Sequence, residues 1–238
     1  MGISTHSFEY QVGGASYEGY LALPEGPAAK VVLVAHAWAG QSDYERGKAD
    51  RIAAELGYAA FAIDVYGAGK RGTTVEENQA LMMPLVEDRA ELQARLNGAV
   101  DHAKTLDGVD TSARAAAGFC FGGLCALDMA RAGMDVAGVA SFHGLFGAPT
   151  NISGYTIDAK VIAYHGWLDP MAKPEDVMAL SQEMDAAKAD WQLYAFGNAM
   201  HAFTTPGANN PEMGTVYQPE ADKRSWASFG QFLGEVLG

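Results

Sequence analysis

One cysteine in this chain is bracketed tightly by glycines, in the run Gly118-Phe119-Cys120-Phe121-Gly122-Gly123. The residues leading into it, RAAAGFC, form a short apolar run, and FGGLCALDMARAG beyond it has helical spacing, so Cys120 stands where a strand becomes a helix. A turn that sharp strains its central residue and crowds the neighbouring backbone. Small residues two positions to either side are then required, and Gly118 and Gly122 meet that demand. The turn lifts the thiol clear of the sheet and sets it at a helix N-terminus, whose partial positive charge favours thiolate. The chemistry this suits is nucleophilic attack, which needs a base and a group that orients the base. In sites of this kind the partners follow in the order nucleophile, carboxylate, histidine. KVIAYHGWLDP delivers Asp169 just past one predicted strand, and WQLYAFGNAMHAF delivers His201 just past the next. His201 is expected to accept the thiol proton or to pair with the thiolate, with Asp169 fixing the imidazole tautomer.

Acyl transfer also needs donors for a developing oxyanion. The turn supplies the Phe121 N–H, and the loop after VVLVAHAW supplies a second, for which Trp38 is the first choice. Other histidines compete with His201. His36 and His165 lie at strand ends before the loops where a base belongs, which suits satisfied core or supporting residues; His143 is harder to set aside. His6 and His102 read as surface residues. Asp64 closes a strand but precedes the nucleophile, so its expected work is to hold the adjacent loop. Trp38, Tyr66, Phe121, Phe142, His143, Trp167 and Phe203 adjoin strand ends and are the candidate substrate contacts; for the aromatic residues, plain core packing fits equally well.

The elements that must position these residues alternate. Residues 5 to 23 show period-two alternation about Gly13-Gly14, which predicts an antiparallel hairpin at a sheet edge. VVLVAHAW is an unbroken apolar run of the kind a strand covered on both faces needs. Ser42 and Glu45 form a capping box ahead of a helix that stops at Gly57. YAAFAIDVYG predicts another strand, GAGKRGTT a loop, and 76–106 one or two helices broken near Pro84. Then come strand, helix, strand, strand, helix, strand and a last helix carrying Trp226, Phe229, Leu233, Val236 and Leu237. This alternation predicts an α/β fold, a mostly parallel sheet with helices on both faces.

Composition bounds the rest. The chain has 238 residues, which predicts a single domain over residues 1–238. Hydrophobic residues make up 49% and charged residues 19%, the balance of an ordinary globular protein. A net charge of −13 repels nucleic acid and anionic membranes and gives no help to anionic substrates. The opening MGISTHSFEY lacks the pattern of a secretory signal and no apolar run approaches a membrane span, so a cytoplasmic location is the expectation. Cys120 and Cys125 are too close along one strand-to-helix segment for an undistorted disulfide, and no zinc ligand set accompanies them. No metal or cofactor is expected, and a monomer or a homodimer fits equally.

With Cys120, Asp169 and His201 on one sheet edge, the chain resembles the dienelactone hydrolase family of α/β-hydrolases. The resemblance runs through the opening hairpin, HAWAG, AIDVYG, GFCFGG, HGWLDP and HAF. It implies the α/β-hydrolase fold, Cys120 as nucleophile, His201 as base, Asp169 as orienter, and Trp38 and Phe121 as oxyanion donors. Two departures bear on substrate. Relatives that open dienelactone carry a glutamate directly after the residue matching His36, where this chain has Ala37. They also bind the substrate carboxylate through arginines, one shortly after the catalytic histidine, where HAFTTPG offers Thr204 and Thr205. An unpaired carboxylate in a desolvated pocket is strongly penalised, so the expected substrates are small neutral esters, lactones or, less directly, phosphotriesters. Two other readings compete: a thiol redox sensor or peroxide-reactive protein with Cys125 as second thiol, and an inactive binding protein on the same fold.

Overall fold

The computed structural model describes residues 2–238. Strands β1 (Ile3–Val12) and β2 (Ala15–Pro24) pair antiparallel about Gly13 and Gly14, whose φ values of 57° and 83° make the tight reversal. Next come β3 (Ala29–Ala35), α1 (Asp43–Arg51), β4 (Ala59–Ile63), α2 (Val75–Glu87), α3 (Arg89–Ala103), β5 (Val109–Phe119), α4 (Phe121–Arg131) and β6 (Gly138–Phe142). The chain closes with β7 (Lys160–Gly166), α5 (Pro174–Ala186), β8 (Trp191–Phe196), the short pair β9 (Asn209–Asn210) and β10 (Thr215–Val216), and α6 (Pro219–Leu237). β1 to β8 form one sheet of order β1-β2-β4-β3-β5-β6-β7-β8, parallel from β4 to β8 and antiparallel through the hairpin, with β1 at the edge.

Period two explains why the buried runs are continuous. In β3, Val31, Leu33 and Ala35 enter one core with Leu92 and Leu96 of α3, the apolar residues of α4, and Val177 and Leu180 of α5. Val32 and Val34 enter the opposite core with Ala49 of α1 and Trp226, Phe229 and Leu233 of α6. The helices therefore cover both faces of the sheet. The capping box is present, Ser42 and Glu45 bonding reciprocally, and α1 runs into a π-helical turn, Ile52–Leu56, before Gly57 stops it at φ 76°.

One break lies elsewhere than expected. α2 continues through Pro84, and the interruption falls at Asp88. The N–H of Asp88 bonds to the Pro84 carbonyl at 2.9 Å, while its carboxylate accepts from the Glu91 N–H at 3.0 Å and so starts α3. His102 is also less exposed than expected; its ring stacks on Tyr10 with centroids 4.9 Å apart.

Candidate active site

The C-terminal ends of β3, β5, β6, β7 and β8 bring His36, Cys120, His143, Asp169 and His201 to one edge of the sheet. Cys120 occupies the turn between β5 and α4 at φ 57°, ψ −117°, a conformation that costs a non-glycine residue on the order of 1–3 kcal/mol. The flanking glycines are explained by contact. A Cβ on Gly118 would lie 1.9 Å from the Gly122 carbonyl oxygen, and one on Gly122 would lie 2.1 Å from the Ala35 oxygen. Both clashes are with backbone, so neither position can carry a side chain. The turn is pinned by the Cys120 N–H donating to Phe142 O at 3.0 Å and the Gly123 N–H donating to Cys120 O at 2.9 Å.

The loops after β7 and β8 are drawn together by Trp167 N–H to Phe196 O and Leu168 N–H to Ala199 O, each 2.9 Å. Gly166 makes this approach possible, since a Cβ there would meet Met200 O at 2.6 Å. Asp169 and His201 meet as a result. The His201 Nδ1 lies 2.7 Å from Asp169 Oδ2, and Asp169 Oδ1 accepts from the Met171 N–H at 2.8 Å, so both carboxylate oxygens are committed. His201 Nε2 is buried without a hydrogen-bond partner, and the Cys120 charge acts on the ring. Burial alone would lower the ring's pKa; the Cys120 charge, the bond to Asp169 and the Asp169 charge outweigh it and raise the ring to about 10. The two loops thus bring a carboxylate and an imidazole to the sheet edge that carries Cys120.

The loop after β3 has its carbonyls occupied. Ala37 O accepts from His36 Nδ1 at 2.7 Å and from the Gly40 N–H at 3.2 Å, while Trp38 O accepts from Tyr66 Oη at 2.9 Å. A trans peptide sets N–H opposite C=O, so fixing Ala37 O also fixes the direction of the Trp38 N–H. Phe121, first residue of α4, carries an N–H that the helix itself cannot satisfy. His36 Nε2 accepts from the Val65 N–H at 3.0 Å, which makes this histidine the satisfied supporting residue its position suggested. Asp64 holds the next loop through the Tyr66 and Gly67 N–H groups at 2.8 and 3.0 Å, also as expected. His165 differs from expectation: it is buried with both ring nitrogens unpartnered, held among rings such as Phe146.

Beneath His201 lies a network that no local sequence pattern announces. Thr204 Oγ1 sits 2.8 Å from Tyr44 Oη and 2.9 Å from His143 Nε2, and the Thr204 carbonyl accepts from Lys48 Nζ at 2.9 Å. Burial keeps the Tyr44 phenol protonated, pushes His143 well below its ordinary range, and lowers Lys48 to about 8. The His143 ring stands edge-on to His201, centroids 5.1 Å apart.

A cavity of about 640 Å³ opens over Cys120. Trp38, His143, Cys120 and His201 line it; Tyr66, Phe121, Phe142, Trp167 and Phe203 do not. Tyr66 and Phe121 stack on each other next to the loop after β3, Phe142 stacks between Phe119 and Tyr164, Phe203 is buried against His143 and Phe196, and Trp167 is 44% exposed. For the first four, core packing took the ring. The wall that sequence reading missed is α2, which turns Val75, Gln79, Met82 and Met83 to the cavity, faced by Met171 and Met213. No lysine or arginine lines it among the described residues. Cys125 is fully buried within α4, where burial raises its thiol well above the ordinary range, so it is not placed to resolve an oxidised Cys120. Among the described residues no helix is long and apolar enough to cross a membrane.

The sequence model of the dienelactone hydrolase family matches residues 17–237. A solved dienelactone hydrolase-like promiscuous phosphotriesterase, P91, from metagenomic libraries is 30% identical, with 99% of each chain covered and a TM-score of 0.92. A solved protein, m3DLH, is 33% identical over 99% of each chain, also at TM-score 0.92. A Yersinia pestis protein named as a carboxymethylenebutenolidase is 26% identical, covering 90% of this chain and 81% of its own.

Proposed function

This chain belongs to the dienelactone hydrolase family and is an ester hydrolase, and we propose that it cleaves small neutral, activated esters and lactones through Cys120, His201 and Asp169. The observation that carries this reading is the short His201–Asp169 bond, 2.7 Å, beside a thiol held at the strained turn. Neutral substrates follow from the cavity lining, which is apolar apart from the reacting groups, Glu45 and a few uncharged polar side chains, and offers no cation to a substrate carboxylate.

In the reaction we infer, the Cys120 thiolate attacks the acyl carbon and the carbonyl electron pair moves onto oxygen, met by the N–H groups of Trp38 and Phe121. Collapse of that oxyanion breaks the bond to the alkoxy oxygen, which leaves with the proton from His201. The thioester is then attacked by a water whose proton His201 takes. The C–S bond breaks, the acid departs, and the thiolate and imidazolium pair returns. Asp169 keeps the Nδ1–H tautomer throughout, so Nε2 faces the reacting atoms.

A neutral phosphotriester presents an electrophilic phosphorus and a phosphoryl oxygen to the same nucleophile and donors. The similarity to P91, a promiscuous phosphotriesterase, supports this as a side activity. The test is intact-protein mass spectrometry after mixing with a small aryl ester and with one aryl phosphotriester, beside steady-state assays of Cys120→Ala. An acyl adduct on Cys120 and loss of turnover in the variant are expected. Full turnover in Cys120→Ala would remove the mechanism.

A further inference from the structure

We propose that Glu45 is a positioning residue for the oxyanion loop, an inference that rests on the assignment of the Trp38 N–H as a donor in the reaction above. Glu45 lies in the first turn of α1, is 1% exposed, and is the one carboxylate lining the cavity among the described residues. Capping α1 occupies only one of its oxygens. Oε2 accepts from the Ser42 N–H at 2.9 Å and from the Ser42 hydroxyl at 2.7 Å. Oε1 reaches back eight residues and accepts from the Ala37 N–H at 3.0 Å.

That second bond acts on the loop rather than on the helix. Ala37 is flanked by two peptide planes, one carrying its own N–H and the other carrying its carbonyl together with the Trp38 N–H. His36 Nδ1 and the Gly40 N–H hold the second plane through Ala37 O. Glu45 holds the first. With both planes fixed, φ and ψ of Ala37 cannot drift, and the Trp38 N–H keeps its direction. A hydrogen bond to a buried carboxylate is the strong kind, and Glu45 is 1% exposed. Release of Glu45 leaves the donor present but misaimed, and a misaimed donor is lost mainly in the transition state, where the oxygen carries charge.

Three variants test this. Glu45→Ala removes both bonds; Glu45→Asp keeps an acid in the first turn of α1 but is one methylene short of Ala37; Glu45→Gln keeps the length but only one of the two acceptors. For each, kcat and KM are measured with a small aryl ester, together with the thermal midpoint and the rate of Cys120 alkylation by iodoacetamide, a displacement at carbon that develops no oxyanion. We expect Glu45→Ala and Glu45→Asp to lower kcat roughly 10- to 100-fold with KM and alkylation rate little changed, and Glu45→Gln, whose single acceptor can hold Ala37 only with its NH₂ turned to the Ser42 N–H, to fall between them and the parent. Glu45→Asp retaining kcat within threefold overturns the proposal. So does a parallel fall in kcat and alkylation, because that reports collapse of the site. If alkylation of Cys120 in the unaltered protein leaves esterase activity intact, the reading of the site fails first and the role of Glu45 with it.

Discussion

Replacing Asp169 by asparagine tests the geometry at its most constrained point. Both carboxylate oxygens accept: Oδ2 from His201 Nδ1 at 2.7 Å and Oδ1 from the Met171 N–H at 2.8 Å. An amide has one acceptor and one donor, so it cannot serve both. If its oxygen stays on the Met171 N–H, its NH₂ faces His201 and forces the proton from Nδ1 to Nε2, the tautomer that cannot take a proton from Cys120. If its oxygen turns to His201, two buried donors oppose each other at Met171. Leaving a buried donor unpaired costs about 1–3 kcal/mol, and the charge-assisted bond to the ring is worth about 1.5–3 kcal/mol more. Together these give about 2.5–6 kcal/mol against the productive arrangement, or roughly 10²- to 10⁴-fold in kcat at tenfold per 1.4 kcal/mol. The ring should also titrate well below about 10, because one of the groups opposing its burial is gone. Steady-state rates with a small aryl ester, normalised by counting alkylatable Cys120, give the first quantity; the pH dependence of alkylation gives the second. A variant within threefold of the parent in kcat, with an unchanged alkylation profile, refutes the reasoning.

Gly122→Ala sets a Cβ 2.1 Å from the Ala35 carbonyl oxygen in the central strand, where neither atom can move cheaply. A loss of at least about 3 kcal/mol is expected, read as a lower urea midpoint at unchanged m. Lys48→Met removes a buried ammonium whose pKa is depressed by burial from 10.5 to about 8. Between those values the unfolded chain binds more protons than the folded one, so this group makes stability rise with pH, by at most about 3 kcal/mol. Denaturant titrations from pH 7 to 10.5 should show the difference between parent and variant shifting in the parent's favour; a pH-independent difference would mean Lys48 is not desolvated.

The fold was readable because each of its causes is local. Unbroken apolar runs such as VVLVA require two covered faces, and a strand that feeds both cores supplies them alternately: Val31 and Leu33 to one, Val32 and Val34 to the other. The turn at Cys120 was readable for the same reason, since glycines at 118 and 122 answer contacts made within a few residues or across one strand pair. Pro84 misled because a proline removes one N–H and restrains its predecessor without obliging a helix to end. Asp88 offered the stronger signal, a side chain able to cap a new helix three residues before Glu91.

What lay outside local pattern was the second use of residues already explained. Glu45 satisfies a capping box, so nothing in the sequence asks for a further partner, yet its other oxygen holds Ala37. Thr204 sits in a polar loop where a hydroxyl needs no explanation, and only the fold brings Tyr44, 160 residues away, within 2.8 Å of it. The α2 wall was hidden more simply. Val75, Gln79, Met82 and Met83 fall at helical spacing, and a stripe of that kind packs a core unless the fold leaves a gap beside it. Here the gap is the cavity, and the unbranched, polarizable methionines facing it can adjust to differently shaped apolar groups. In the proposed reaction, breadth of neutral substrate and rejection of charge would share one physical origin, a soft wall with no cation in it.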